Sequence, residues 1–193
     1  MGRFIVFEGI DGSGKTSVTK AVASKLNKHD IILTGEPTDT WLGDAVRRSH
    51  EEDSNPFTEA FLFLADRAAH SEAIRLWLKK GKTILCDRYY HSTVAYQSAA
   101  MEGKVDFDSF AWLLEANMKV SIEPDTVFLF KVDPEIALKR VSSRGKLSKF
   151  ERLEFLTKVA ANYDRLAKLR KNIIIVDSNG SLGKVIDEVM RRL

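Results

Sequence analysis

The stretch that decides the fold runs from Phe4 to Thr16 and reads FIVFEGIDGSGKT. Its first four residues are apolar β-formers, which is typical of a buried strand. Apolar residues then recur at helical spacing, so the sequence predicts a helix from Lys15 to about Leu26. The connection between the strand and the helix is a loop that holds three glycines, at Gly9, Gly12 and Gly14.

This loop matches the pattern G-x-x-x-x-G-K-[ST] in the strand–loop–helix context that the pattern requires. The glycines let successive backbone N–H groups face inward as an anion nest, and the helix N-terminus adds partial positive charge. We expect Lys15 to contact the outer phosphates of a nucleotide and the Thr16 hydroxyl to bind Mg²⁺. The predicted nucleoside triphosphate site therefore consists of Gly9, Ile10, Asp11, Gly12, Ser13, Gly14, Lys15 and Thr16.

Short apolar stretches recur along the rest of the chain and alternate with segments of helical periodicity. Parallel strands covered by helices on both faces show this pattern. The sequence predicts a single domain over residues 1–193 with a five-stranded parallel sheet, in the three-layer α/β/α fold of P-loop NTPases. The further strands are predicted at residues 31–33, 83–86, 126–130 and 173–176, and the further helices at 42–48, 57–80, 91–101, 107–118, 134–142, 150–169 and 182–193.

Composition argues against several classes of protein. The net charge is only +3, with 30 basic and 27 acidic residues, so no nucleic-acid partner is indicated. No apolar run approaches membrane-spanning length, and the start of the chain lacks the pattern of a signal peptide. Cys86 is the only cysteine, which fits a reducing compartment. We therefore expect a cytoplasmic protein with no membrane partner.

Polar residues follow the predicted strands at their carboxyl ends, where parallel sheets bind ligands. Asp87 ends one strand, so its carboxylate is expected to reach the phosphates and hold Mg²⁺, directly or through water. Arg88 beside it offers a bidentate fork for a phosphate. From spacing alone, a surface Asp–Arg pair is an equally good interpretation.

Thr93, Tyr96 and Gln97 have the spacing of neighbours on one helix face. That face could read the polar edge of a base, or it could be an ordinary helix surface.

A GTPase is the first rival class, because Asn27–Asp30 matches the base-reading pattern N-K-x-D. This segment follows the first helix, at the amino ends of the strands, and that is the wrong edge of the sheet for a bound base. We interpret it as a helix-to-strand turn.

Four motifs of the chain resemble the thymidylate kinase family. Residues Asp87–Gln97, DRYYHSTVAYQ, resemble its signature D-R-Y-x-x-S-x-x-A-Y-Q. Phe63–Arg67 is similar to L-F-x-A-x-R, Thr34–Pro37 to T-R-E-P, and Gly43–Arg47 to G-x-x-[IVL]-R. One departure is Gly35, which stands where T-R-E-P has arginine. The missing charge is expected elsewhere, on Arg47 or Arg48.

The resemblance covers nearly the whole chain and implies an enzyme that phosphorylates dTMP to dTDP with Mg-ATP, a step in dTTP synthesis. It implies a mobile lid at about residues 143–149, whose cations act in the transition state because the phosphate loop itself carries no arginine. The catalytic residues implied are Lys15, Arg88, Arg144 and Lys146, and the metal ligands Thr16 and Asp87.

The same resemblance implies how the acceptor is held. Phe63 is the stacking residue for the base, with Arg67 one helical turn further on. The family places an acidic residue at the position of Asp11 near the sugar 3′-hydroxyl, and a tyrosine at the position of Tyr96 against the 2′ position. The implied substrate-binding residues are Asp11, Glu36, Arg47, Phe63, Arg67, Arg88, Thr93, Tyr96 and Gln97.

Two alternatives stay open at this point. One is a kinase for another nucleoside or nucleotide, and the other is a nucleotide-binding regulatory module without transfer activity. The regulatory module is disfavoured because the chain keeps Lys15, Asp87 and Arg88. The resemblance also implies a homodimer, for which the long helices would form the interface.

Overall fold

The computed structural model describes residues 2–26, 30–142 and 152–193. Within these ranges, five strands form one parallel sheet in the order β2-β3-β1-β4-β5. The predicted parallel sheet is confirmed. The strands are β1 (Arg3–Glu8), β2 (Ile31–Gly35), β3 (Thr83–Asp87), β4 (Thr126–Lys131) and β5 (Ile173–Asp177).

Eight helices lie within the described part of the chain, each close to its predicted position. The predicted helix at 107–118 begins later, because the Asp108 side chain accepts a hydrogen bond from the Ala111 N–H and caps the helix there. The helices are α1 (Lys15–Lys25), α2 (Trp41–Glu51), α3 (Pro56–Lys79), α4 (Tyr90–Met101), α5 (Ser109–Val120), α6 (Pro134–Ser142), α7 (Leu153–Leu169) and α8 (Leu182–Arg192).

The helices form a layer on each face of the sheet, which confirms the three-layer α/β/α fold. Strand β1 shows why: Phe4 and Val6 pack in the core that includes residues of α3, α4, α5 and α7. Ile5 and Phe7 point the other way, into the core shared with α1 and α8. Side chains of a strand alternate between its faces, so an apolar run of this kind needs cover on both sides.

The strand order places β1 at the centre, between β3 and β4. Phe7 is in register with Asp87, and Asp87 with Gly35, so the loops after β1, β2 and β3 meet at one edge of the sheet. Arg144, Lys146 and the rest of the predicted lid lie outside the described residues, as do residues 27–29 of the N-K-x-D match. No helix in the described ranges is both long and apolar enough to cross a bilayer.

Candidate active site

The loop between β1 and α1 has a backbone that glycine alone adopts readily. Gly12 and Gly14 have φ angles of 82° and 86°, in the left-handed region. A Cβ on Gly12 would lie 2.3 Å from the backbone oxygen of Ala137 on α6, so a side chain there would displace that helix. Gly14 is also the N-cap of α1 and has no side chain to cap it. The first-turn N–H groups of α1 are thereby available to an anion.

Lys15 opens α1 and folds back over the loop. Its Nζ lies 3.5 Å from the Ile10 carbonyl oxygen and 3.6 Å from Asp11 Oδ1. Burial, together with the positive charge of Arg88, lowers the pKa of Lys15 to about 8. The loop therefore holds a poorly solvated cation, which favours contact with an incoming phosphate.

Asp11, Arg88 and Tyr96 form a linked group beside this lysine. Arg88 Nη2 donates to Asp11 Oδ1 at 2.6 Å, and the Tyr96 hydroxyl donates to Asp11 Oδ2 at 2.9 Å. Burial opposes ionisation of Asp11, but the charges of Arg88 and Lys15 outweigh it and hold the pKa of this carboxyl far below its usual range. Burial raises the pKa of Tyr96, so its hydroxyl stays protonated and remains a donor.

Thr16 and Asp87 lie together at the mouth of the loop, where the Thr16 hydroxyl donates to Asp87 Oδ2 at 2.6 Å. The other carboxylate oxygen, Asp87 Oδ1, is buried and has no hydrogen-bond partner among the described residues. A hydroxyl beside an unsatisfied carboxylate oxygen fits Mg²⁺, which prefers oxygen ligands. Thr16 and Asp87 would hold the ion, and Mg²⁺ would supply positive charge that neutralises the phosphates.

A cavity of about 240 Å³ opens on the β3 side of the loop. It brings together eight of the nine residues predicted to bind substrate, from four separate segments of the chain. Those eight are Asp11, Glu36, Phe63, Arg67, Arg88, Thr93, Tyr96 and Gln97.

Arg67 lines this cavity and is fully buried. It donates to Glu36, to Asn117 and, at 3.0 Å, to Thr93 Oγ1. Glu36 in turn lies 3.0 Å from Nδ1 of His70. Neither Asn117 nor His70 was predicted, because each stands in an ordinary helical pattern and meets Arg67 or Glu36 only through helix packing.

Arg47, the ninth residue, does not line the cavity. Its guanidinium donates to the Thr38 carbonyl at 2.8 Å and to Asp44 at 2.7 Å, which secures the loop after β2. Arg48 pairs with Glu52 on the exposed surface. At Gly35, a Cβ would lie 2.7 Å from the Asp87 carbonyl oxygen, so a side chain there requires a shift of the backbone.

Glu8 is a buried residue of the site that sequence analysis missed. Its carboxylate accepts hydrogen bonds from the backbone N–H groups of Tyr89 at 2.7 Å and Ser92 at 3.2 Å, and from the hydroxyls of Ser92 and Tyr163. Burial raises the pKa of Glu8 despite these bonds. Glu8 thereby caps α4 from a neighbouring strand and anchors Arg88, whose φ of 67° is left-handed. The one feature of the sequence that could have indicated this role is the position of Glu8, directly after an apolar run.

The other side of the phosphate loop faces a second cavity, of about 350 Å³. It is bounded by the loop residues Gly12, Ser13 and Gly14, and by Arg140, which donates to the Ser178 carbonyl at 2.9 Å. A larger, mainly apolar cavity of about 600 Å³ lies between α7 and the ends of β4 and β5. The phosphate loop thus lies between separate cavities, an arrangement that would suit transfer of a phosphoryl group from one nucleotide to another.

A phosphate loop with a separate cavity on each side, at the carboxyl ends of a parallel sheet, is the arrangement of a P-loop nucleoside monophosphate kinase. The family model "Thymidylate kinase" matches residues 7–189, so the chain belongs to the thymidylate kinase family.

Relatives named "Probable thymidylate kinase" match the chain along nearly its whole length. One from Methanococcoides burtonii is 34% identical over 194 residues, which cover 100% of this chain and 96% of the relative. One from Methanosarcina acetivorans is 37% identical, over 100% of this chain and 95% of the relative. One from Pyrococcus abyssi is 37% identical, over 98% of this chain and 94% of the relative.

Proposed function

We propose that this protein phosphorylates dTMP to dTDP with Mg-ATP, a step in dTTP synthesis. The observation that carries the proposal is the 240 Å³ cavity, which combines an aromatic ring, Phe63, with the guanidinium of Arg67 directly beside the phosphate loop. An aromatic face and hydrogen-bonding groups suit a flat pyrimidine base. Family membership and the names of the relatives support the same reaction.

The acceptor in this reaction is already an anionic phosphate oxygen, so the enzyme needs no general base. Catalysis then consists of positioning and of neutralising charge on the transferred group. Lys15 and Arg88 supply cations from the phosphate loop and from the start of α4. Thr16 and Asp87 would hold the Mg²⁺ that comes with ATP. Arg144 and Lys146, which lie outside the described residues, are proposed to add charge in the transition state.

Asp11 is proposed to bind the sugar 3′-hydroxyl of the acceptor. A carboxylate inside a phosphate loop repels phosphates unless its charge is compensated. Arg88, at 2.6 Å, and Lys15, at 3.6 Å, provide that compensation. This arrangement supports a position for Asp11 between the loop and the acceptor sugar.

A coupled assay of ADP release with a panel of nucleoside monophosphates tests the proposal. We expect dTMP to give the highest kcat/KM. A stronger response to another monophosphate would reassign the acceptor, and ATP binding without ADP release for any of them would indicate a regulatory module.

Replacing Phe63 with alanine is expected to weaken dTMP binding by about 1–3 kcal/mol, the scale of one base–aromatic stack. Calorimetry with dTMP and with ATP measures the effect, and ATP binding should hardly change. Phe107→Ala is the matched control, because Phe107 is also an aromatic residue, is 44% exposed and does not line the cavity. Equal weakening of both ligands would show that Phe63 supports the fold instead.

Tyr96 is expected to exclude ribonucleotides. Its ring lines the cavity, and its hydroxyl both donates to the Asp11 side chain and accepts from the Asp11 N–H at 3.0 Å. A 2′-hydroxyl against this ring would clash and would lack a hydrogen-bond partner. Tyr96→Ala should therefore raise kcat/KM for ribothymidine monophosphate relative to dTMP on the order of tenfold.

Tyr96→Phe separates the hydroxyl of Tyr96 from its ring. If the ring excludes the 2′-hydroxyl, Tyr96→Phe keeps the wild-type ratio of kcat/KM for ribothymidine monophosphate to kcat/KM for dTMP. An unchanged ratio in a well-folded Tyr96→Ala protein would leave Tyr96 as a packing residue.

The proposal includes a homodimer in the cytoplasm. Helix α3 exposes Phe61 and Leu76 by 57% and 58%, and Met118 on α5 is 45% exposed. Large apolar side chains on neighbouring helices suit a protein interface. Sedimentation should then give twice the 21.8 kDa of one chain, and a mass of one chain would contradict the dimer. The proposal of a cytoplasmic location rests on the sequence, which has one cysteine and therefore no pair for a disulfide within the chain.

A further inference from the structure

Gln97 lies at the wall of the 240 Å³ cavity, where a carboxylate from another helix contacts it. Its Nε2 donates a hydrogen bond to Glu59 Oε2 at 2.7 Å. The two residues lie on α4 and α3, and each is only 1% exposed. Gln97 lines the cavity, whereas Glu59 lies behind it.

This contact determines which way the amide of Gln97 faces. In the structure the NH₂ group of the amide faces Glu59. An ionised carboxylate requires this arrangement, because it accepts hydrogen bonds and cannot donate them. The amide oxygen, Oε1, then faces away from Glu59. The cavity therefore has a hydrogen-bond acceptor of fixed orientation.

Arg67 lines the same cavity. It is fully buried, and its Nε has no hydrogen-bond partner within the described ranges. The edge of a thymine base carries an N3–H donor beside an O4 acceptor, whereas cytosine carries an N3 acceptor beside an N4–H₂ donor. A hydrogen-bond acceptor on Gln97 and a donor on Arg67 complement N3–H and O4 of thymine. The same two groups do not complement N3 and N4–H₂ of cytosine.

We infer that Glu59 is a positioning residue that makes the enzyme select thymine over cytosine by orienting the amide of Gln97. Glu59 does not touch the base. This inference deepens the proposed function and rests on it, because it takes the acceptor to be a pyrimidine nucleoside monophosphate. Without Glu59, Gln97 could turn its NH₂ group toward N3 of cytosine at little cost.

The test replaces Glu59 with glutamine, which keeps the shape of the side chain. A glutamine at this position meets either end of the Gln97 amide, so the orientation is released. We expect the ratio of kcat/KM for dTMP to that for dCMP to fall on the order of tenfold, the scale set by one mispaired buried polar group. A role of Glu59 in stability alone would lower both values and leave the ratio unchanged.

Two further variants sharpen the result. Glu72→Gln is the matched control, because it removes the same charge from an exposed position of α3 and should keep the wild-type ratio. The exchange Glu59→Gln with Gln97→Glu restores the hydrogen bond with its partners reversed. It also presents a carboxylate oxygen, again an acceptor, to the cavity. We expect it to recover a preference for dTMP at least as strong as that of the wild type.

Each outcome decides between the inference and its alternatives. An unchanged ratio in folded Glu59→Gln overturns the inference, as does an exchange variant that fails to prefer dTMP. Should Glu59→Gln not fold, the exchange variant still decides, since it keeps the buried hydrogen bond. Failure of the proposed function is seen separately, in a wild-type protein that releases no ADP with either nucleotide.

Discussion

Replacing Lys15 with alanine is expected to lower kcat about a hundredfold or more while the fold stays intact. Lys15 Nζ is held over the phosphate loop by Ile10 and Asp11, in a place where water solvates it poorly. A cation in such a site stabilises charge on a transferring phosphate far more than it would in water. Lys20→Ala, at an exposed position of the same helix, is the control.

The pH dependence of the wild-type enzyme gives a second test of the same role. Lys15 must be protonated to act, and burial with the Arg88 charge lowers its pKa to about 8. We therefore expect kcat/KM for ATP to fall as the pH rises through about 8, since this parameter reports the free enzyme. Bound phosphate favours the charged form, so the decline in kcat should lie at higher pH. If folded Lys15→Ala keeps near-normal turnover, Lys15 does not stabilise charge on the transferring phosphate.

Replacing Arg88 with alanine is expected to lower kcat/KM for dTMP about a hundredfold or more. The arginine donates to Asp11 at 2.6 Å, to Ser92 Oγ at 3.0 Å and to the Gly9 carbonyl at 3.4 Å. Its loss removes a cation and also leaves the Asp11 carboxylate facing the incoming phosphate without its main partner. Arg48→Ala, which breaks only an exposed ion pair, should change little.

A double-mutant cycle separates these two consequences. Asp11→Asn should cost less activity in the Arg88→Ala background than in the wild type, because it then also removes an uncompensated negative charge. The values of kcat/KM for dTMP in the four proteins measure the coupling. Simple additivity of the two losses would mean that Arg88 and Asp11 act independently.

The parts of the fold that depend on local signals were predicted from the sequence. The phosphate loop is an example, because its glycines, Lys15 and Thr16 act through the backbone of one short segment. Helix starts are another: an aspartate followed by proline is typical of a helix N-terminus, and at the start of α6 the Asp133 side chain accepts a hydrogen bond from the Glu135 N–H at 2.8 Å. The strands were recognisable because burial on both faces leaves a continuous apolar run.

The candidate site was predictable as a set of residues but not as a network of contacts. Thr93, Tyr96 and Gln97 share a helix face, and helical spacing shows this without a structure. Helical spacing does not predict which residues of other segments contact them. Tyr96 meets Asp11 from 85 positions away, and Gln97 meets Glu59 from 38 positions away.

The sequence by itself therefore determined the chemical groups that each short segment carries. These are the phosphate loop, the carboxylates at the ends of the strands, and a helix face with polar groups that could contact a base. The tertiary structure alone decided how these charges are paired. It brought Glu8 under the start of α4, placed Asn117 against Arg67, and turned Arg47 toward the loop after β2. The physical reason is that periodicity reports which side of an element is buried, whereas strand order and helix packing decide which buried side chains meet.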